Sequence, residues 1–326
     1  MLSWIHRTLI SILSLSCRGY LLIAALLLSW AMALPMVAAE VLREVPDGGQ
    51  ALSLLGKVLY PPAANERSLQ NLERARVDYA ANPNSADSII WLGRRTAYAG
   101  DYRRAIEVFS EGISKFPDDP RFYRHRGHRY ITLREFDLAI ADLSIAVQLM
   151  QDLPLEVEPD GLPNLQNIAL TTTQGNVWYH LGLAYYLKQD WSNALAAFRN
   201  GFALGSNDDN RVSTSHWIYM ILHRMGDSES AATAVAGIST DMEIIENSSY
   251  HQLCLLYRGE MAIKNLMVAN GDEPTNAAVA YGLANYYFYN GDRERSDQLL
   301  QHIVSGTSWA AFGFIAAEAD LANPLR

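Results

Sequence analysis

A glycine–alanine frame recurs in this chain at a fixed spacing of 34 residues. Gly93 and Gly127, Tyr102 and Phe136, and Ala105 and Ala139 are each separated by that step, and so are Pro83 and Pro117. The residues between them read as two amphipathic helices joined by a tight turn, Gly100-Asp101 in the first copy. Antiparallel helices approach closely only where one side chain is reduced to a hydrogen or a methyl. A small residue on the first helix and an alanine on the second, repeated at this period, describe a helical hairpin built to stack. Stacked hairpins form a solenoid with a concave groove, so the expected fold is all-α.

The period organises residues 68–326. A helix over 68–82 precedes Pro83 and caps the array, after a linker and entry segment at 40–67 that holds Pro46-Asp47-Gly48-Gly49 and Pro61-Pro62. Repeats follow at about 86–119 and 120–153. The next anchors, Gly182 and Ala194, fall 55 residues after Gly127 and Ala139, which places a 21-residue insertion at 154–174. Three prolines, an Asp160-Gly161 pair and the acids Glu156, Glu158 and Asp160 make it a loop. It reads either as a tolerated surface insertion or as an acidic flap over the groove. Repeats at about 175–208 and 212–245, a degenerate unit at 247–276, a unit at 277–306 and a closing helix at 309–321 complete the chain. No segment alternates like a strand for any length.

Hydrophobic residues make up 49% of the chain and charged residues 19%, enough for a large core and unlike a disordered protein. Residues 1–39 contain Arg7 and Arg18 but no acid, and an uncharged stretch runs from Gly19 to Ala39. This pattern reads as a secretory signal cleaved before Glu40, or as a signal anchor, since the stretch is long enough to span a bilayer. Either would place the body in the periplasm, free or membrane-tethered. The remaining 287 residues carry 24 basic against 35 acidic side chains, a net charge of −11, which argues against nucleic acid as a partner. The two cysteines, Cys17 and Cys254, cannot form a disulfide framework in the exported part.

On the residues of the 34-residue frame, clearest in Trp178, Leu181, Gly182, Tyr185, Ala194 and Phe198, the chain resembles the tetratricopeptide repeat superfamily. Its order of units is loosely similar to exported bacterial proteins of that type. The resemblance implies a right-handed superhelical solenoid whose groove is lined by set positions of each first helix. Carried over, these are Arg94 and Tyr98; Arg121, Arg124 and His128; Tyr179 and Tyr186; His216, His223 and Arg224; and Tyr281, Asn285, Phe288 and Tyr289. Such a groove would be basic at one end and aromatic at the other.

Residues 121–134 hold five arginines, Arg121, Arg124, Arg126, Arg129 and Arg134, with His125 and His128. Guanidinium forks suit carboxylates and phosphates. They either pair with acids nearby, including those of 154–174, or hold an anionic segment of a partner. His125 and His128 lack a third metal ligand nearby. The sequence contains no HExxH, nucleophile elbow, phosphate-binding glycine loop or paired CxxC, so neither a metal nor a cofactor is expected. The expected function is a non-enzymatic scaffold holding a protein or peptide with an acidic or carboxylate-bearing segment. An enzyme or regulatory subunit using the Arg/His cluster, and a structural part of an envelope assembly, are the alternatives.

Overall fold

The computed structural model describes residues 42–267 and 276–324. The expected export segment at 1–39 and part of the degenerate unit, 268–275, lie outside the described residues. From Arg43 onward the chain forms one compact unit. It is an all-α helical-repeat solenoid of thirteen α-helices: α1 (Glu66–Ala81), α2 (Ala86–Tyr98), α3 (Tyr102–Lys115), α4 (Pro120–Thr132), α5 (Phe136–Leu149), α6 (Thr173–Leu187), α7 (Trp191–Leu204), α8 (Asp208–Arg224), α9 (Ser228–Val235), α10 (Ser248–Tyr257), α11 (Ala277–Tyr289), α12 (Arg293–Ser305) and α13 (Phe312–Ala322).

The recurring glycines do what their spacing suggests. A Cβ added at Gly93 would stand 2.4 Å from Cε1 of Phe109, and one at Gly182 would stand 2.7 Å from Cδ2 of Phe198. The aromatic ring of each second helix therefore rests on the bare backbone of the first. Ala105, Ala139, Ala194 and Ala231 are wholly buried at the matching place on the second helix.

Each hairpin turns through one residue in the left-handed region, at Gly100, Arg134, Gln189, Gly226, Gly259 and Gly291. At four of the turns the next residue, Asp101, Asp190, Asp227 or Asp292, caps the second helix through its carboxylate. Arg134 and Gln189 adopt this conformation with a side chain that disfavours it. Glu135, after Arg134, makes no side-chain cap because its carboxylate is taken by Arg43 at 2.8 Å.

Residues 43–62, read from the sequence as linker and entry segment, are docked on the array. Ala51–Leu52 and Val58–Leu59 pair as antiparallel strands β1 and β2, too short for a period of two to register. The Gln50 side-chain oxygen accepts from the amides of Tyr102 and Arg103, supplying an outside cap to α3. The Trp309 indole donates to the carbonyl of Tyr60.

The closing helix is placed differently from the expectation of an end cap. α13 packs on α11, α12 and α6. Its side chains from Gly313 to Asp320 are all buried. Such burial on every side is what a helix apolar all round requires, and α13 obtains it from both helices of the last hairpin together with α6.

Candidate functional site

The inner face expected to hold a partner is met by two segments of the chain itself, α13 and the insertion. α13 supplies two carboxylates. Glu318 accepts a forked pair of bonds from Arg134, at 3.0 and 3.1 Å, and the Arg134 guanidinium also donates to the carbonyl of Trp309. Asp320 pairs with Arg224 at 2.7 Å and accepts from the Tyr281 hydroxyl at 2.8 Å. All four charged groups are buried, and each arrangement is the planar fork that suits guanidinium to carboxylate.

Most of the aromatic positions from the sequence join this interior network. Tyr186 and Tyr281 share a hydroxyl–hydroxyl bond of 2.8 Å. Asn285 accepts from Arg224 and from the Tyr289 hydroxyl. His223 stacks on Tyr289 with ring centroids 4.5 Å apart. His216 is stacked on Tyr250 and Tyr257, and its Nδ1 lies 3.1 Å from the Tyr257 hydroxyl. Burial pushes the His216 imidazole down to about 3. Tyr179 accepts from the Trp217 indole at 2.8 Å and, with His180 and Phe312, borders a cavity of about 270 Å³. Phe312, at the start of α13, lies against His128 and His180. The conclusion for these residues is that they hold α13 and one another.

The insertion covers the basic end. Val157 and Thr172 form an isolated antiparallel bridge that draws the loop back on itself. Gly161 seats against Tyr98, with its carbonyl accepting from Arg95 at 2.7 Å. Glu158 is buried between Arg124, 2.9 Å away, and Arg94, 4.0 Å away. His125, His128 and His180 are all held well below their ordinary range, first by burial and then by neighbouring arginines. Arg121 is not part of this cluster. Its guanidinium binds Asp119 and Asp87, and it borders a separate cavity of about 830 Å³. Arg121 and Arg124, expected to act together, thus line different hollows. Arg126 makes a bidentate pair with Asp142.

Glu318 and Asp320 are the site residues the sequence reading passed over, whereas Glu158 belongs to the acidic insertion it set beside the arginines. Two acids in the otherwise apolar run of 309–321 were the available signal, because a charge in such a helix needs a buried partner. Among the described residues no group of three or more His, Cys, Asp or Glu could hold a metal ion, and no helix is long and apolar enough to cross a membrane.

The cavity of about 830 Å³ that Arg121 borders lies between two loops. The turn between α3 and α4, Phe116 to Arg121, forms one wall and the start of the insertion, Leu153 to Glu156, forms the other. Leu153 and Leu155 stand 52% and 55% exposed along this rim, Val157 just beyond it is 58% exposed, and Leu162 and Leu165 are more exposed still. The bridge directs its two backbone bonds through residues 156, 158, 171 and 173. Leu155 and Val157, on the alternate parity, make no backbone bond among the described residues.

Residues 176–200, in α6 and α7, match the family model described as tetratricopeptide repeat. The resemblance read in the third repeat stands on this match and on the hairpin geometry. Solved structures of similar fold include MamA from Desulfovibrio magneticus RS-1, at 18% identity over 52% of this chain and 83% of that one, TM-score 0.41. YrrB, a repeat protein with an unusual peptide-binding site, shows 15% identity over 73% and 96%, TM-score 0.41. The Cut9–Hcn1 assembly shows 14% identity over 80% and 38%, TM-score 0.46.

Proposed function

We propose that this chain is a non-catalytic interaction scaffold that holds an extended segment of a partner protein along the exposed edge of its insertion. The observation that carries this reading is the rim at Leu153 and Leu155, with Val157 just beyond it. Two exposed aliphatic side chains, Leu153 and Leu155, border a cavity of about 830 Å³, with exposed Val157 next along the chain, and an edge of unpaired backbone runs beside them. An added strand would find backbone partners at Leu155 and Val157 and an apolar hollow for alternate side chains. Exposed aliphatics concentrated in one segment are the usual mark of a contact surface.

The inner groove serves this reading as a rigid support. Its carboxylate partners come from within the chain, at Glu158, Glu318 and Asp320. Releasing α13 would expose Phe314 and Ile315, worth roughly 1.5–3 kcal/mol each, and would strand two buried arginines. The acid-free segment at 1–39 would deliver the scaffold across a membrane, which fractionation of a tagged full chain would test.

The deciding experiment is crosslinking in intact cells followed by hydrogen exchange on the isolated complex. The full chain is compared with a Leu155→Asp/Val157→Asp variant. Capture by the parent alone, with slowed exchange at amides 155–158, supports the rim. Equal capture by both chains, or protection confined to the inner helices, overturns it.

A further inference from the structure

Beneath the insertion, α2 and α4 enclose a second and much smaller hollow of about 70 Å³, bordered by Arg94, Tyr98, Arg124, His128, Arg129 and Glu158. Its charges do not balance. Three guanidinium groups face one carboxylate there. Arg94 reaches Glu158 only at 4.0 Å and lies on the Trp91 ring. Arg124 approaches Glu158 to 2.9 Å, but the alignment is poor, so the Arg124 Nε and the Glu158 Oε2 each lack a hydrogen bond. The Arg129 guanidinium has no hydrogen bond or ion pair among the described residues, is only partly buried, and rests over the Tyr102 ring at 5.6 Å. Asp160, at the margin, also has a buried oxygen without a partner.

The local histidines do not add to the charge, because Arg124 stands 3.1 and 3.5 Å from the Nδ1 atoms of His125 and His128, where a neutral ring accepts. Arg129 is pushed down to about 10, chiefly by burial and further by Arg124 and Arg94, yet it keeps its proton at neutral pH. Arg124 is the costly member of the group, buried with its Nε unbonded, since an arginine cannot shed its charge. The hollow is also several times the roughly 15 Å³ that a single water occupies by the same measure. The insertion lies across it, with Glu158 and Gly161 in place, so a polypeptide chain has no path through.

We propose that this hollow binds a small free oxyanion of the phosphate–sulfate class, held by Arg94, Arg124 and Arg129, with Glu158 opposing it on one side. A divalent oxyanion matches the charge excess of three guanidinium groups over one carboxylate. Arg129, which has no internal partner, is the residue whose role the anion explains. The site is separate from the rim, and neither depends on the other.

The test is calorimetric titration of the full chain with inorganic phosphate and with sulfate, in chloride buffer of matched ionic strength, alongside thermal unfolding. Saturable one-to-one binding is expected, with a midpoint that rises with phosphate as ligand linkage requires. Arg129→Gln should weaken binding by at least about ten-fold, the scale of a charged hydrogen bond. Glu158→Gln, which removes the opposing carboxylate, should tighten it. Phenyl phosphate should fail to bind, because the covered hollow admits a free ion and no ester tail. Absence of saturable binding, equal affinity in Arg129→Gln, or weaker binding in Glu158→Gln would overturn the site. Phenyl phosphate binding as tightly as phosphate would overturn its closed form.

Discussion

Arg134 and Glu318 stand 184 residues apart in the sequence and 3.0 Å apart in space. The pair joins the turn of the second full hairpin to the last helix of the chain. Arg134 holds a left-handed backbone conformation, φ 66°, where four of the other hairpins use glycine. The side chain that makes this conformation awkward is the one that secures α13.

Glu318→Ala should destabilise the protein by about 3–5 kcal/mol, the cost of leaving a buried guanidinium without its counter-ion. The double replacement Arg134→Leu/Glu318→Leu should recover a large part of that loss. Urea unfolding of the two variants against the parent checks this, and equal stabilities for Glu318→Ala and the parent would contradict the pairing.

Gly182→Ala should cost about 1–3 kcal/mol, because the new methyl meets Phe198 at 2.7 Å and the core must shift to admit it. Gly226→Ala meets nothing within 4 Å and is strained only by its backbone, φ 80°, so about 1 kcal/mol is expected. Thermal midpoints that order the two the other way would contradict the close-packing account.

Stability should fall as pH drops from 7.5 to 5.5. His125, His128, His180 and His216 are held below their ordinary range in the folded chain. They remain neutral when folded and take up protons near pH 6.5 only when unfolded. The unfolded state therefore binds more protons in this window, and acid favours it by up to about 1.4 kcal/mol per histidine per pH unit below 6.5. His216→Phe should flatten the slope of unfolding free energy against pH by about a quarter, whatever it does to stability at pH 7.5. An unchanged slope would show that His216 does not titrate between the two states.

Cys254 should resist thiol reagents in the native protein. It is buried against the carbonyl of Val212, and burial pushes its thiol up, away from the reactive thiolate. Peptide-level mass spectrometry after brief labelling should find it unmodified until denaturant is added.

The hairpins were legible because their determinants are local. Gly93 meets Phe109 and Gly182 meets Phe198 within one repeat, so a fixed period carries the contact. The place of α13 was not legible in that way. Its docking depends on pairings with Arg134 and Arg224, 184 and 96 residues away, and no periodic pattern records such distances. Residues 43–62 were misread for the same reason, since Gln50 caps a helix that begins 52 residues later. The position-by-position reading of the groove named Tyr186, Arg224 and Tyr281, which the fold ties to one another and to α13. It did not say what they faced. Arg121 and Arg124 show the limit from the other side, being three residues apart yet turned to different hollows by their separate acidic partners, Asp119 and Glu158.

The route of α13 also fixes when the molecule can become complete. An open stack of hairpins settles pair by pair from either end, and a shortened array remains a smaller version of the whole. Here the counter-ions of Arg134 and Arg224 sit at Glu318 and Asp320, C-terminal to every hairpin. The two hairpins that carry these arginines must wait for that helix before the two charges are neutralised. A nascent chain halted before residue 318 would hold stacked helices around an unfinished centre, and the closing step, spanning most of the sequence, would set the pace of maturation.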